Sequence, residues 1–166
     1  EAEFYPFLKG GVWNNFLNKY PESNAINKRT LYLSREINAI EVKTGKDMSH
    51  AKTELYRAQC NCAYWHGLFG GIYLTHLRSA LYKHIAVCEE MICAEKKPKK
   101  PEIIKGDFRN EGREQIFLRN QSCSVIINPA FGATISEFTN RKKRTNVFDT
   151  IARRKEAYHS ILQNIG

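Results

Sequence analysis

Trp65 and His66 stand side by side in the stretch RAQCNCAYWHGLFGG, Arg57 to Gly71, with Asn61 and Cys62 just upstream and Gly67, Gly70 and Gly71 just downstream. An indole offers a flat apolar plate with one N–H donor, and an imidazole offers a donor and an acceptor. A sugar ring presents the complement, an apolar C–H face and a rim of hydroxyls. Glycine has no Cβ, so backbone beside it can approach a ligand closely. The same residues would also serve a helix end packed into a core, with His66 satisfied by a carbonyl, and spacing alone leaves both readings open. A second aromatic stretch, GGVWNNFLNKYPES, places Trp13, Phe16 and Tyr20 at three- and four-residue spacing. Periodicity reads it as a core-facing helix. Trp13 is nevertheless kept among the candidate binding residues, with Asn14 and Asn15 as polar neighbours able to reach a ligand.

Catalytic groups are harder to find. Retaining glycoside cleavage needs two carboxyls roughly 5–5.5 Å apart, one as nucleophile and one as acid. Glu54 is alone on its helix, Glu89 and Glu90 point to different faces, Glu36 and Glu41 read as solvated, and Asp107 and Asp149 fall near loops. No G-x-S-x-G, no phosphate-cradling glycine loop and no H-x-x-x-H occurs, and His76 and His84 are too far apart to share a metal. The sequence therefore predicts no catalytic residue and no metal site in this chain.

The elements that must position Trp65 and His66 are legible from periodicity. In PESNAINKRTLYLSREINAI, Pro21 suits a first helical turn, and Ile26, Thr30, Leu33, Ile37 and Ile40 form one face, with Gly45 near the stop. Ser49 is expected to cap a second helix. The run His50–Tyr64, free of Gly and Pro, is expected to continue it to the Gly67 break, with Leu55, Ala58, Cys62 and Trp65 on one side. That helix would stack Asn61 below Trp65 and Cys62 below His66. A third helix is expected from about Tyr73, with Leu74, Leu77, Leu81, Ile85, Cys88 and Ile92 as its apolar stripe. The stretch AEKKPKKPE, with Pro98 and Pro101, reads as a boundary. Beyond it the period changes to two in EQIFLRN, CSVIINP and ATISEFTN, predicting three or four short strands. The tail from Ile151 to Gln163 returns to helix-like or irregular spacing. The fold class is α+β: an N-terminal antiparallel helical bundle (1–95), a basic Pro/Lys linker (96–104) and a partial antiparallel β-sheet (105–166). Such a sheet has two bare edges and an apolar face needing a cover, so either the helices cover it or it is the start of a longer structure.

Composition sets the outer bounds. The chain has 166 residues with 42% hydrophobic and 26% charged, ordinary for a globular protein. No apolar run approaches a membrane span of about 20 residues. The acidic, Met-less opening EAEFYPFLKGG lacks the basic and apolar regions of a signal peptide and reads as the interior of a longer chain. Five cysteines, an odd number in no metal-binding or disulfide spacing, read as free thiols in a reducing cytosol. The net charge is +9, concentrated in EKKPKKPEIIK, NRKKR and ARRK. Such clusters can bind phosphate backbones, but they lack interleaved aromatics, so solvated turns are the favoured reading and nucleic acid is a disfavoured partner.

The residues also resemble a known family. RAQCNCAYWHGLFGGIYLTHLRSALY is similar to a segment of glycoside hydrolase family 57, which includes 4-α-glucanotransferases and α-amylases. GGVWNNFLNKYPESNAINKRTL resembles the segment that precedes it there, and DFRNEGREQIFLRN onward resembles the opening of the family's C-terminal β-sandwich. The resemblance implies that a (β/α)₇ barrel bearing both catalytic carboxylates precedes a helical region in the intact enzyme. Both carboxylates would then lie outside this chain, which alone would not turn over maltooligosaccharides. It implies an α-1,4-glucan or maltooligosaccharide as ligand, the barrel as partner, and no metal or organic cofactor. It places Asn61, Trp65, His66 and Gly67 on cleft positions. At Cys62 the family carries Asp, so one polar contact is expected to be lost; Thr75 stands for its Pro and Asn27 for a frequent His. A non-catalytic glucan-binding or protein-interaction module is the alternative, ahead of a nucleic-acid binder.

Overall fold

The computed structural model describes residues 11–66 and 69–151. Four helices lead: α1 (Trp13–Lys19), α2 (Pro21–Thr44), α3 (Ser49–Arg57) and α4 (Thr75–Lys96). Five strands follow: β1 (Glu102–Gly106), β2 (Gln115–Arg119), β3 (Cys123–Asn128), β4 (Thr134–Asn140) and β5 (Thr145–Asn146). Pro21 opens α2 as its first residue, where a missing N–H costs nothing, and Gly45 closes it at φ 68° with its N–H on Glu41 O. Ile26, Leu33, Ile37 and Ile40 of α2 meet Leu55 of α3 and Leu81, Ile85, Cys88 and Ile92 of α4 in one core. Cross-helix pairs give the directions. Cys88 on α4 bonds Ala51 O and His84 bonds Glu54, so α3 and α4 are antiparallel. Arg29 meets Glu89 and Glu36 meets Lys96, so α2 and α4 run the same way. Among the described residues no helix is long and apolar enough to cross a membrane.

Two local expectations fail for a physical reason. Ser49 is the first residue of α3 and not its cap; the Asp47 carboxylate instead accepts its N–H and O–H at 2.8 and 3.0 Å. More important, α3 ends at Arg57 and does not reach Tyr64. The chain turns at Ala58, and a single 3₁₀ turn, Asn61–Ala63, follows. The turn drives the Tyr64 ring into the core, where it is 3% exposed. Its hydroxyl donates to Ala58 O at 3.0 Å, and its carbonyl accepts from Ser23 Oγ at 2.7 Å. Burying a whole tyrosine outweighs two more turns of helix. The stripe read from the sequence therefore holds at Leu55 and Ala58 and fails at Cys62 and Trp65, which are exposed.

The strands pair as an antiparallel meander in the order β1-β2-β3-β4-β5, five where three or four were expected, with an irregularity between Ile126 and Ile127. β1 begins at Glu102, inside the stretch read as linker. The two faces of the sheet have opposite chemistry. One carries the register row Ile103–Leu118–Val125–Phe138 and the row Ile116–Ile127–Ile135, all half-buried or exposed. The other, turned to α2 and α4, carries Arg119, Ser124, Glu137 and Thr139 beside Phe117 and Ile126.

Charge therefore joins helices to sheet. Arg29 of α2 bonds Glu89 of α4 and Glu137 of β4, and Ser124 Oγ donates to Glu89 at 2.6 Å. Beside it, Arg119 of β2 donates to both oxygens of Glu36 at 2.6 and 2.9 Å and meets Glu102 and, through Glu36, Lys96. Glu36, expected to be solvated, is 8% exposed. Burial pushes its carboxyl up, but Arg119 and Lys96 hold it below the ordinary range. A depressed carboxyl stabilises the fold above its unfolded pKa and loses that contribution as the pH falls through the folded value. Glu36→Gln should accordingly lower the urea midpoint at neutral pH and narrow its gap to the parent protein on acidification. A gap that stays constant with pH would exclude this account.

Candidate functional site

Tyr64 is an anchor, and the residues after it are what it anchors. With its ring buried, Trp65 is turned outward and is 51% exposed. The Trp65 carbonyl accepts the Ile72 N–H at 2.7 Å, which pinches the intervening loop shut at its base. Gly71 allows that pinch: at φ 52°, a Cβ there would lie 2.1 Å from Trp65 O. The pinch brings Tyr73 to His66, whose Nδ1 lies 3.0 Å from the Tyr73 hydroxyl.

Helix α1 supplies the rest. Trp13 stacks on Phe16 with centroids 5.1 Å apart, and Phe16 meets Trp65 edge-on at 5.6 Å. Tyr20 stacks on His66 at 3.8 Å. The structure thus brings Trp13, Trp65 and His66 together on one aromatic ledge. Trp13 is itself 43% exposed, so the α1 stripe faces outward at this point and the core is entered by Leu17 and Tyr20. Asn61 and Cys62 stand exposed on the adjoining 3₁₀ turn, not stacked beneath the ring pair as a longer helix would have put them. Gly67 lies outside the described residues. Tyr73, seven residues after His66, was missed by the sequence reading, and Phe16 and Tyr20 were read only as core. The Trp13–Phe16–Tyr20 spacing, matched to the second aromatic segment, was the available signal.

The ledge offers two half-exposed indoles and a hydrogen-bonded imidazole, which is a surface for stacking and polar contact. It offers no acid pair. Glu89 and Glu137 do converge on Arg29, but they are 0% and 4% exposed between the layers, beyond the reach of a substrate. Glu54, the lone acid of α3, is also buried and bonds Arg57 and His84 Nδ1, the latter at 2.6 Å. It lies in a groove of about 530 Å³ between α3 and α4 that none of the ledge rings lines. Among the described residues no three His, Cys, Asp or Glu side chains are grouped to hold a metal ion.

The chain thus joins a helical bundle, which bears the ledge, to an antiparallel sheet. The chain belongs to the alpha-amylase/4-alpha-glucanotransferase family of glycoside hydrolase family 57: residues 11–92 match its middle-domain model and residues 107–165 its C-terminal model. Among its relatives, an alpha-amylase of Pyrococcus abyssi is 41% identical over 155 residues, covering 93% of this chain and 21% of that protein. A 4-alpha-glucanotransferase of Thermococcus kodakarensis is 37% identical over 155 residues, again 93% of this chain and 21% of that protein. The crystal structure of the 4-alpha-glucanotransferase from Thermococcus litoralis superposes with a TM-score of 0.79 at 36% identity, over 96% of this chain and 23% of that one. The chain spans about a fifth of the length of the curated relatives it matches.

Proposed function

We propose that this chain corresponds to the part of an α-glucan-acting enzyme that walls its substrate cleft, with the acid and nucleophile supplied by a barrel outside this sequence. Supporting the reading most directly is the exposure of Trp65 and Trp13 on one ledge, in a family whose named members include amylases and glucanotransferases. Trp65 stacks on a glucose unit of an α-1,4-glucan or maltooligosaccharide, Trp13 extends the apolar surface, and His66 and Asn61 contact hydroxyls. Cys62 is a neutral thiol and contributes less than a carboxylate would. Residues 1–95 act as the cleft-completing unit, joined through the stretch of Pro98 and Pro101 to a partial sandwich, and the five free thiols suit a cytoplasmic setting. The burial of Glu89 and Glu137, the acids that converge on Arg29, favours, as second reading, a non-catalytic glucan-binding module.

Retention on an amylose column tests the ledge. Trp65→Ala is expected to lose about 1 kcal/mol of stacking, roughly fivefold in dissociation constant. Because Trp65 is half exposed, the fold should survive, and thermal unfolding checks this. Equal retention of the two proteins would remove the stacking role.

A further inference from the structure

Between Ala58 and Tyr64 the chain makes a small exposed loop with a fixed neck. The neck is the bond from the Tyr64 hydroxyl to Ala58 O at 3.0 Å, with both residues buried. Gln59, Cys60, Asn61 and Cys62 project from it, all exposed. Cys60 O accepts the Ala63 N–H, so Cys60 and Cys62 are first and third residues of one turn. That bond, at 3.4 Å, is longer than the next one, Tyr64 N–H to Asn61 O at 3.0 Å. Residues two apart in such a turn lie within the ~4.4–6.8 Å Cα window of a disulfide, although bringing the sulfurs together requires the turn to open. With one residue between them in a single turn, the two thiols are held at high effective concentration.

We propose that Cys60 and Cys62 are a peroxide-oxidisable thiol pair that closes to a disulfide around Asn61 and resets its side chain. One thiol gives up its proton, its sulfur attacks a hydroperoxide oxygen, the O–O bond breaks, and the departing hydroxide takes up that proton, leaving a sulfenic acid and one water. The second thiol gives up its proton, its sulfur attacks the sulfenic sulfur, the S–S bond forms, the S–O bond breaks, and the departing hydroxide takes up that proton and leaves as a second water. Two thiols and one hydrogen peroxide thus give one disulfide and two waters. An exposed thiol beside a resolving partner is the arrangement that favours this path over overoxidation.

The other cysteines are poor competitors. Cys88 is 0% exposed, its thiol pushed up to about 12 by burial, and Cys93 is 9% exposed with its thiol pushed up for the same reason. Cys123 is half-buried with its thiol on Asn120 Oδ1 at 3.6 Å. The consequence for binding rests on the cleft reading: Asn61 is the contact between the two sulfurs, so closing the ring moves a polar group while the Trp13–Trp65 ledge stays.

The test treats the 166-residue chain with stoichiometric hydrogen peroxide, then alkylates and digests it without reductant. The expected product is a peptide carrying both Cys60 and Cys62 that has lost the mass of two hydrogens and resists alkylation until dithiothreitol is added. The Asn61 side-chain amide should shift in the NMR spectrum on oxidation and return on reduction. Cys60→Ser and Cys62→Ser should each abolish both changes. Oxygen added to single thiols, disulfide-linked dimers, or an unshifted Asn61 amide would each overturn the proposal. On amylose, oxidised protein should be retained about threefold less than reduced, with Asn61→Ala erasing the difference. Reduced protein that is not retained at all defeats the cleft reading, and the mass and amide readouts still decide on the thiol pair.

Discussion

Arg29→Ala is expected to destabilise the protein by about 3–5 kcal/mol, the cost of leaving buried charges without their partner. Arg29 is 5% exposed and binds two carboxylates, Glu89 at 0% and Glu137 at 4%. Burial and the neighbouring Glu89 already push the Glu137 carboxyl up, against the pull of Arg29. Without the guanidinium the Glu137 carboxyl would rise further above its unfolded value. A raised carboxyl favours the fold at low pH and loses that contribution as the pH rises through its folded value. The deficit of the variant should therefore shrink on mild acidification and be largest at neutral pH. Arg144→Ala is the comparison, since Arg144 meets Glu90 at 3.3 Å with both side chains about half exposed. It should change stability by no more than about 0.5 kcal/mol. Chemical unfolding of the two variants at two pH values decides. Equal effects, or a deficit for Arg29→Ala that grows in acid, would show that the charge layer does not hold helices to sheet.

Gly71→Ala should be nearly as damaging, by about 3 kcal/mol or more, because two penalties fall on one residue. Its φ of 52° disfavours any side chain, and the new Cβ would stand 2.1 Å from the Trp65 carbonyl oxygen. Relief requires the Trp65 O to Ile72 N–H bond to open, which unpins both the loop and Trp65. Gly45→Ala separates the two penalties: Gly45 has φ 68° but nothing within 4 Å of the added atom. That change should cost about 1 kcal/mol. Gly71→Ala should also lose amylose retention at temperatures where it remains folded. A Gly71→Ala protein as stable as Gly45→Ala would mean that the pinch is not structural.

Periodicity carried the long elements. The α2 stripe from Ile26 to Ile40 and the α4 stripe from Leu81 to Ile92 are core as their spacing says, and β2, β3 and β4 lie on the segments of period two. The end of α3 was not legible, because nothing in Ala58–Tyr64 breaks a helix locally. The break is made by Tyr64 finding Ser23 and Ala58, one of them 41 residues away. Glu36 looked solvated for the same reason, since its partner Arg119 is 83 residues off. β1 was missed because two isoleucines between Pro101 and Gly106 make too short a pattern. Trp65 and His66 read from the sequence as residues of a helix end, but their mounting is a pinched loop. Tyr73 carried no signal of its own until that pinch brought it to His66.

The sheet places its ions on the inside and its oil on the outside, and the consequence concerns how the molecule comes apart. Between helices and strands the adhesive includes guanidinium on carboxylate, a seam that acid weakens where Arg119 holds Glu36. Along Ile103, Leu118, Val125 and Phe138 the adhesive for any layer laid over them is the exclusion of water. That second seam is indifferent to proton concentration and weakens with chaotropes and cold. One sheet thus has two glue lines that answer to different solvents, and either can be opened while the other holds.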